Sequence, residues 1–405
     1  MPSSDQNRVL IVGGGLGGLA LSQGLKRASP PVPFHVFERD SSADFRPQGY
    51  RIRINPDGAS ALQKLLPDHL WKTYEDTCAV FNPAMSGLDA VTGQKPAPSG
   101  ERRGPPPMAE GKYYNADRVV LRNVLLEGLD DSISFGKTFE SYRVTGDGVE
   151  VTFTDGTKET GAILVGADGT RSHIRRQLMP NYTVLDTECG AIYGKTFIKP
   201  ETQTSMAKEF FGGICLAGES SKPGLKLFTD TMEFPQDLSF DERTKYRVPD
   251  DYVYWVLCIN RTMLGIAAED LNAAQSVEMT KSWHPTIRSL LQNQDPSASS
   301  ILAFFASSPE TFKREWDELV ESPDCAVVTL LGDAAHPMTP VGGVGANSAF
   351  QEAADLCSVI TRGEALEGYA KLMTERGEKT VGLSGGGAGH MFQMKPFSEL
   401  KVASP

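Results

Sequence analysis

The apolar positions of this chain follow two periods, and the changes from one to the other lay out its elements. Arg8 to Val12 is a short, mostly apolar run suited to a buried parallel strand. Gly13-Gly14-Gly15-Leu16-Gly17-Gly18 follows at once. Leu19, Leu21 and Leu25 then give a helical stripe that ends near the Ser29-Pro30-Pro31 break. Phe34 to Phe37 reads as a second strand with Glu38 at its end. Gln48 to Ile54 alternates, so that Arg51 and Arg53 share one face and Tyr50, Ile52 and Ile54 the other. Residues 139–160 predict a hairpin in which Val149 to Thr154 turns at Asp155-Gly156 into a short return strand. Ala162 to Val165 is a further strand. Strands then dominate from about 182 to 280: Ala191 to Ile198, Glu209 to Leu216, Leu225 to Phe234 and Tyr252 to Ile259. Ala326 to Leu331 is a last apolar strand. A helix is predicted from about Ala346 to Ile360, with Ala349, Ala353, Leu356 and Ile360 in register. Residues 82–112, with Gly104-Pro105-Pro106-Pro107, predict an irregular excursion. The glycine-rich tail after Gly377 predicts a flexible end.

The first of three glycine-centred segments has the spacing of a dinucleotide fingerprint. Gly13 permits a tight turn, Gly15 lets the backbone approach a pyrophosphate, and Gly18 lets helix and strand pack closely. The helix start supplies amides and a positive dipole to the phosphates. Glu38 stands 20 residues after Gly18, where a carboxylate can accept both ribose hydroxyls. Leu16 in the turn and Arg39 after Glu38 complete this set of candidate contacts. A 2′-phosphate beside Glu38 would meet like charge, so the site should take FAD or NAD rather than NADP.

The second segment is Leu164 to Ser172, where Asp168-Gly169 can turn tightly and Ser172 with Arg175 begins a helix. The third is Leu330-Leu331-Gly332-Asp333-Ala334-Ala335-His336-Pro337, then Gly342-Gly343-Val344-Gly345-Ala346-Asn347. Asp333, at a strand end, would lie in the ligand crevice and could accept from ribityl hydroxyls. Gly343, Gly345, Ala346 and Asn347 would form an anion-favouring helix start. A nicotinamide dinucleotide has no ribityl chain, and this favours FAD.

All three segments in this order resemble the single-component FAD-dependent aromatic hydroxylases, the para-hydroxybenzoate-hydroxylase-like or class A flavoprotein monooxygenases, of the secondary-metabolite type. The resemblance implies an α/β chain. A Rossmann-like FAD-binding lobe of the GR2 type, discontinuous in sequence, would carry an inserted, mostly antiparallel β-sheet substrate domain. The implied boundaries are 1–181 for the first part of the FAD lobe, 182–290 for the substrate sheet, 291–376 for the second part, and 377–405 for the flexible tail. The resemblance also implies that the helix start at residues 345–347 faces the flavin N1–C2=O edge and that Asp168 lies near the pyrophosphate and the NADPH path. Gly49 would make room for the isoalloxazine. Arg118 would contact FAD, with Arg122 either sharing that role or lying on the surface. One of Arg51 and Arg53 would point to the flavin, and Arg51 is counted among the cofactor contacts. Arg171, Arg175 and Arg176 could attract an anionic cofactor, though a solvated helix face reads as well for Arg176.

The implied reaction is NADPH reduction of FAD, addition of O2, and transfer of one oxygen through a flavin C4a-hydroperoxide to an aromatic or polyketide-type small molecule. The alternative is a flavin-dependent dehydrogenase or reductase without oxygen insertion. Tyr193, Lys195, Tyr254 and His336 are candidate substrate-side groups. Each also reads as an ordinary core residue, and no catalytic residue is assigned. There is one dinucleotide fingerprint and no redox CxxC, so flavin enzymes with a separate nucleotide domain and disulfide reductases fit poorly.

Bulk properties narrow the partners. The net charge of −11 argues against nucleic acid, which needs a basic face. The six cysteines are scattered through apolar runs and read as buried free thiols, so no metal site is expected. Glycines at 13, 14, 15, 17 and 18 break residues 9–25, so this stretch does not read as a signal segment, and no run reaches the roughly 20 apolar residues that span a bilayer. The expectation is a cytoplasmic monomer or homodimer that meets only small molecules.

Overall fold

A computed structural model describes residues 7–45, 50–96, 108–267, 272 and 274–403. Its first layer is a five-stranded parallel sheet. The strands lie in the order Val328–Leu330, Ile163–Gly166, Val9–Val12, Phe34–Glu38, Ile133–Phe135. Val9 to Val12 are all buried, as a strand covered on both faces requires. The helix Leu16–Arg27 packs between this sheet and the later helix Val344–Arg362. Parallel neighbours need crossovers: Phe34–Glu38 follows Val9–Val12 through the single helix Leu16–Arg27, whereas Ile163–Gly166 and Val328–Leu330 return only after long excursions. The neighbours of Val9–Val12 therefore come from widely separated parts of the chain.

The second layer is a large sheet in the order Ser300–Ala306, Leu185–Phe197, Tyr252–Asn260, Leu225–Met232, Ile214–Gly218, Met85–Asp89. Its pairs are antiparallel except the last, where Met85–Asp89 runs parallel to Ile214–Gly218. Period-two alternation divides its residues between two cores. Tyr193, Tyr252, Tyr254 and Cys258 pack toward the nucleotide-type lobe. Ile192, Val253, Trp255 and Leu257 pack under Trp283, Ile287 and Leu290. Between the layers lies a two-stranded antiparallel ribbon, Arg51–Ile54 with Tyr114–Asp117. The predicted hairpin is part of a three-stranded sheet, because Phe139–Thr145 also pairs with Gly148–Phe153.

Several expectations are corrected. The substrate sheet is not confined to 182–290: Met85–Asp89 joins it from the segment read as irregular, and Ser300–Ala306 joins from beyond its expected end. Hydrogen bonding to a distant strand is invisible in a local pattern. The strand expected over Glu209 to Leu216 begins only at Ile214. Lys208–Phe211 is a short helical turn that buries Phe210, and Gly213 follows at φ 95°, where glycine is favoured. Gly104-Pro105-Pro106-Pro107 lies outside the described residues.

The flexible tail is the largest correction. Leu366–Phe392 is one helix of 27 residues that continues through the glycine cluster. Glycine propensity is poor, but packing outweighs it. Gly377 lies against Phe312 of the helix Pro309–Val320, and Lys226 Nζ and Asn260 Nδ2 cap the last carbonyls at His390, Phe392 and Gln393.

This packing makes two glycines respond with opposite sign. A Cβ at Gly377 would lie 2.1 Å from the buried Phe312 ring, whereas one at Gly386 meets nothing within 4 Å. Gly377→Ala should destabilise by about 1–3 kcal/mol through overpacking. Gly386→Ala should stabilise by about 0.5–1 kcal/mol through helix propensity. Urea midpoints of the two variants test this, and no change in either would mean that the segment does not pack as a helix.

Candidate cofactor and substrate site

The three glycine-centred segments meet at one edge of the parallel sheet. They leave the ends of adjacent strands at Val12, Gly166 and Leu330. The Ala167 amide donates to Val12 O (2.7 Å) and the Leu331 amide to Gly166 O (2.9 Å), which knits the three turns together. Gly13 has φ 118°, and a Cβ there would lie 2.1 Å from Ala167 O. A Cβ at Gly18 would lie 2.2 Å from Gly13 O. Gly15 faces open space. Two of the fingerprint glycines are therefore needed for packing, and the third leaves its backbone accessible at a helix start.

A cleft opens over this edge. Its walls include Gly13, Gly15, Glu38, Arg39, Arg118, Arg122, Lys137, Asp168, Gly169 and Arg171. Glu38 is buried at its base and accepts from the amides of Gly14 (2.6 Å) and Asp40 (2.9 Å). Arg122 crosses the cleft wall, donating from Nε to Gly14 O (3.2 Å) and from Nη1 to Ala43 O (2.7 Å). Burial lowers its pKa, the carboxylates of Glu38, Asp40 and Asp44 oppose that shift, and Arg118 adds to it. Asp168 Oδ2 accepts from His173 N at 2.8 Å, while its buried Oδ1 has no partner.

At the next strand end Asp333 is exposed to the open side of the site, with Gly345 of the helix start beside it. Although open on that side, the carboxyl is hemmed in by enough protein to be desolvated and pushed upward, opposed by His336 and reinforced by Glu352. Beneath it, His336 Nε2 and Glu352 Oε1 lie 2.5 Å apart, both fully buried, and Glu352 Oε2 accepts from the Gly332 amide (2.8 Å). Burial alone would lower His336, but Glu352 outweighs it and raises the imidazole. Burial alone would raise Glu352, but the His336 charge and the Gly332 amide hold it below its usual range. Asn347 ties the helix start to the ribbon: its Oδ1 accepts from Asn55 N (2.9 Å), and its Nδ2 donates to Arg53 O (2.9 Å) and Gly343 O (2.7 Å).

The second sheet faces the ribbon with polar and aromatic groups. Asp117 ends the ribbon and caps the helix Arg118–Leu126, its Oδ1 accepting from Val119 N at 2.8 Å. Its Oδ2 accepts from Lys195 Nζ (2.6 Å) and Tyr252 Oη (2.8 Å), all three residues being buried. Arg51 and Arg53 both reach Asp230, at 2.5 and 3.2 Å. Tyr50 stacks on Tyr193 with 5.1 Å between ring centroids, and Arg118 lies over Tyr50.

Most of the candidate site residues thus converge on the sheet edge. Gly49 lies outside the described residues. Arg51 forms an ion pair with Asp230 of the second sheet. Arg175 is a buried brace: it donates to Ala334 O (2.7 Å) and Thr170 O (2.7 Å), so only Arg171 of its group faces the cleft. Sequence reasoning missed Asp117, Asp230 and Glu352. Glu352 was discoverable, because a carboxylate falls in the buried register of Ala349, Ala353 and Leu356. Nothing local marks Asp230.

A family described as FAD binding domain matches residues 317–373. The dual O-methyltransferase/FAD-dependent monooxygenase elcB of Phaeosphaeria nodorum is 35% identical, covering 89% of this chain and 41% of that protein. The FAD-dependent monooxygenase thnD of Trichoderma harzianum is 29% identical, covering 93% of this chain and 91% of the other. Klebsiella pneumoniae HpxO, solved with FAD and uric acid, superposes with a TM-score of 0.68 at 19% identity, covering 93% of this chain and 87% of that one, a likeness of fold alone. The chain spans less than half the length of the dual-function relatives, 41% to 47%.

The His336–Glu352 pair should leave a pH signature in stability. A lowered carboxyl stabilises above its unfolded pKa of 4.5 and fails as pH falls through the folded value. A raised imidazole stabilises below its unfolded pKa of 6.5 and fails as pH rises through the folded value. The cost of Glu352→Gln, about 1–3 kcal/mol, should therefore be largest between pH 4.5 and 6.5 and should shrink toward alkaline pH. Denaturant midpoints of both proteins across pH check this, and a pH-independent difference would mean the pair carries no charge.

Proposed function

We propose that this chain is a member of the FAD-dependent aromatic hydroxylase family, an FAD-dependent, NAD(P)H-consuming monooxygenase that inserts one oxygen atom of O2 into an aromatic or polyketide-type small molecule. The observation that carries the reading is the adjacency of the three strand ends at Val12, Gly166 and Leu330, which brings Glu38, Asp168 and Asp333 to one side of one sheet.

The residues present fit FAD. Gly15 leaves an open approach at a helix start, Asp168 Oδ1 is a buried acceptor without a partner, and Asp333 is accessible beside a second helix start. The Gly13–Gly18 turn would hold the pyrophosphate, Glu38 the ribose, Asp333 the ribityl chain, and the amides of Gly345, Ala346 and Asn347 the ring edge. When bound, FAD supplies the redox and oxygen-transfer chemistry. The chain's own part is to orient that group, favour negative charge at the Gly345–Asn347 helix start, and keep water from the reacting face with the aromatic side of the second sheet. Arg171, exposed in the cleft beside Gly169, is suited to steer an anionic electron donor such as NADPH.

Purified protein reconstituted with FAD should be yellow, should oxidise NADPH, and with 18O2 should give a product carrying one labelled atom, the other appearing in water. Product without label would favour a dehydrogenase or reductase. Glu38→Ala should weaken FAD at least about tenfold, since each charge-assisted hydrogen bond is worth about 1.5–3 kcal/mol. Asp333→Ala should lose or misplace the flavin with the fold retained, as judged by circular dichroism and the flavin spectrum. Normal FAD affinity and turnover in both variants would sink the assignment of these strand ends.

A further inference from the structure

The ribbon face that looks toward the second sheet carries Arg51, Arg53, Asn115 and Asp117, because Arg51 stands opposite Asp117 and Arg53 opposite Asn115 in the antiparallel register. Asp117 is engaged by Lys195 and Tyr252. The other three are not balanced. Both arginines share the single carboxylate of Asp230, which leaves one positive charge in excess. Asn115 is fully buried, and neither its Oδ1 nor its Nδ2 has a hydrogen-bond partner. Arg51 Nε, Arg53 Nε and Asp230 Oδ1 are also buried without a hydrogen-bond partner. Buried polar groups are nearly always hydrogen-bonded, so a cluster of them without partners calls for a further partner.

The surroundings specify that partner. Arg51 lies over the Phe228 ring at 5.6 Å and Arg53 over Phe81 at 4.9 Å, beside the Tyr50–Tyr193 stack. Asn347 Nδ2 ties the Arg53 carbonyl to the helix start assigned to the flavin ring edge. We propose that Arg51, Arg53 and Asn115 form a subsite for an anionic oxygen, a carboxylate or a phenolate, on the aromatic substrate. Arg51 and Arg53 act here as specificity-determining residues, and Asp230 limits the charge they present. Burial and the neighbouring Arg51 bring Arg53 down to about 10, against the pull of Asp230, as two guanidiniums on one carboxylate should. The inference rests on the monooxygenase reading for the position of the ring and adds the charge class of the substrate.

The test titrates FAD-loaded protein, followed by flavin absorbance, with matched probes: benzoate against benzamide, 2-naphthoate against 2-naphthamide, and 4-nitrophenolate against 4-nitroanisole. The first two pairs read carboxylate and the third phenolate. At least one anionic probe should bind about tenfold tighter than its neutral match. Arg51→Met and Arg53→Met should each cut that preference severalfold. Asp230→Asn should increase it, a gain that a merely damaged fold would not produce. No preference in any pair, including no binding at all, overturns the subsite and leaves the unpaired groups to internal water. A preference that survives both arginine variants overturns it as well. Flavin content and NADPH oxidation, measured on the same samples, report separately on the cofactor reading.

Discussion

Parallel pairing of the strands ending at Val12, Gly166 and Leu330 is the constraint from which the site follows. Turns at adjacent parallel strand ends lie side by side. Three segments separated by more than a hundred residues therefore become one surface with the helix starts and acids on it. The close approaches at Gly13 and Gly18 depend on that pairing, because their neighbours Ala167 and Gly13 sit where the strands put them. The same pairing makes the cofactor lobe discontinuous, and the second sheet grows from the excursions.

How much of this could be read from sequence depended on whether the cause was local. The first strand, the glycine turn, the helix after it and Glu38 follow from short-range spacing and were all legible. Asp333 was legible because it ends an apolar run. What failed was non-local. Met85–Asp89 is a strand only because Ile214–Gly218 lies beside it. The glycine-rich end of Leu366–Phe392 is helical because Phe397 and Val341 pack on Gly385 and Gly387 and side chains of the second sheet cap its last carbonyls.

The site residues divide the same way. A fingerprint glycine announces its role through its neighbours in sequence. Arg51 does not: its alternation gives the face it shares with Arg53, but nothing local announces its ion pair with Asp230, 179 residues later. Arg175 looks like a cleft cation until its three backbone acceptors, Thr170 O on one glycine-centred segment and Asp333 O and Ala334 O on another, show it to be a brace.

Asp117 carries a further consequence. One of its oxygens ends the helix that begins with Arg118, while the other holds Lys195 and Tyr252 of the opposite sheet. A change on either side alters the free energy of the same carboxylate. By linkage, whatever a ligand on the sheet side does to cofactor affinity, the cofactor must do in equal measure to that ligand. The start of the helix Arg118–Leu126 and the second sheet are therefore coupled through a buried carboxylate that both of them share.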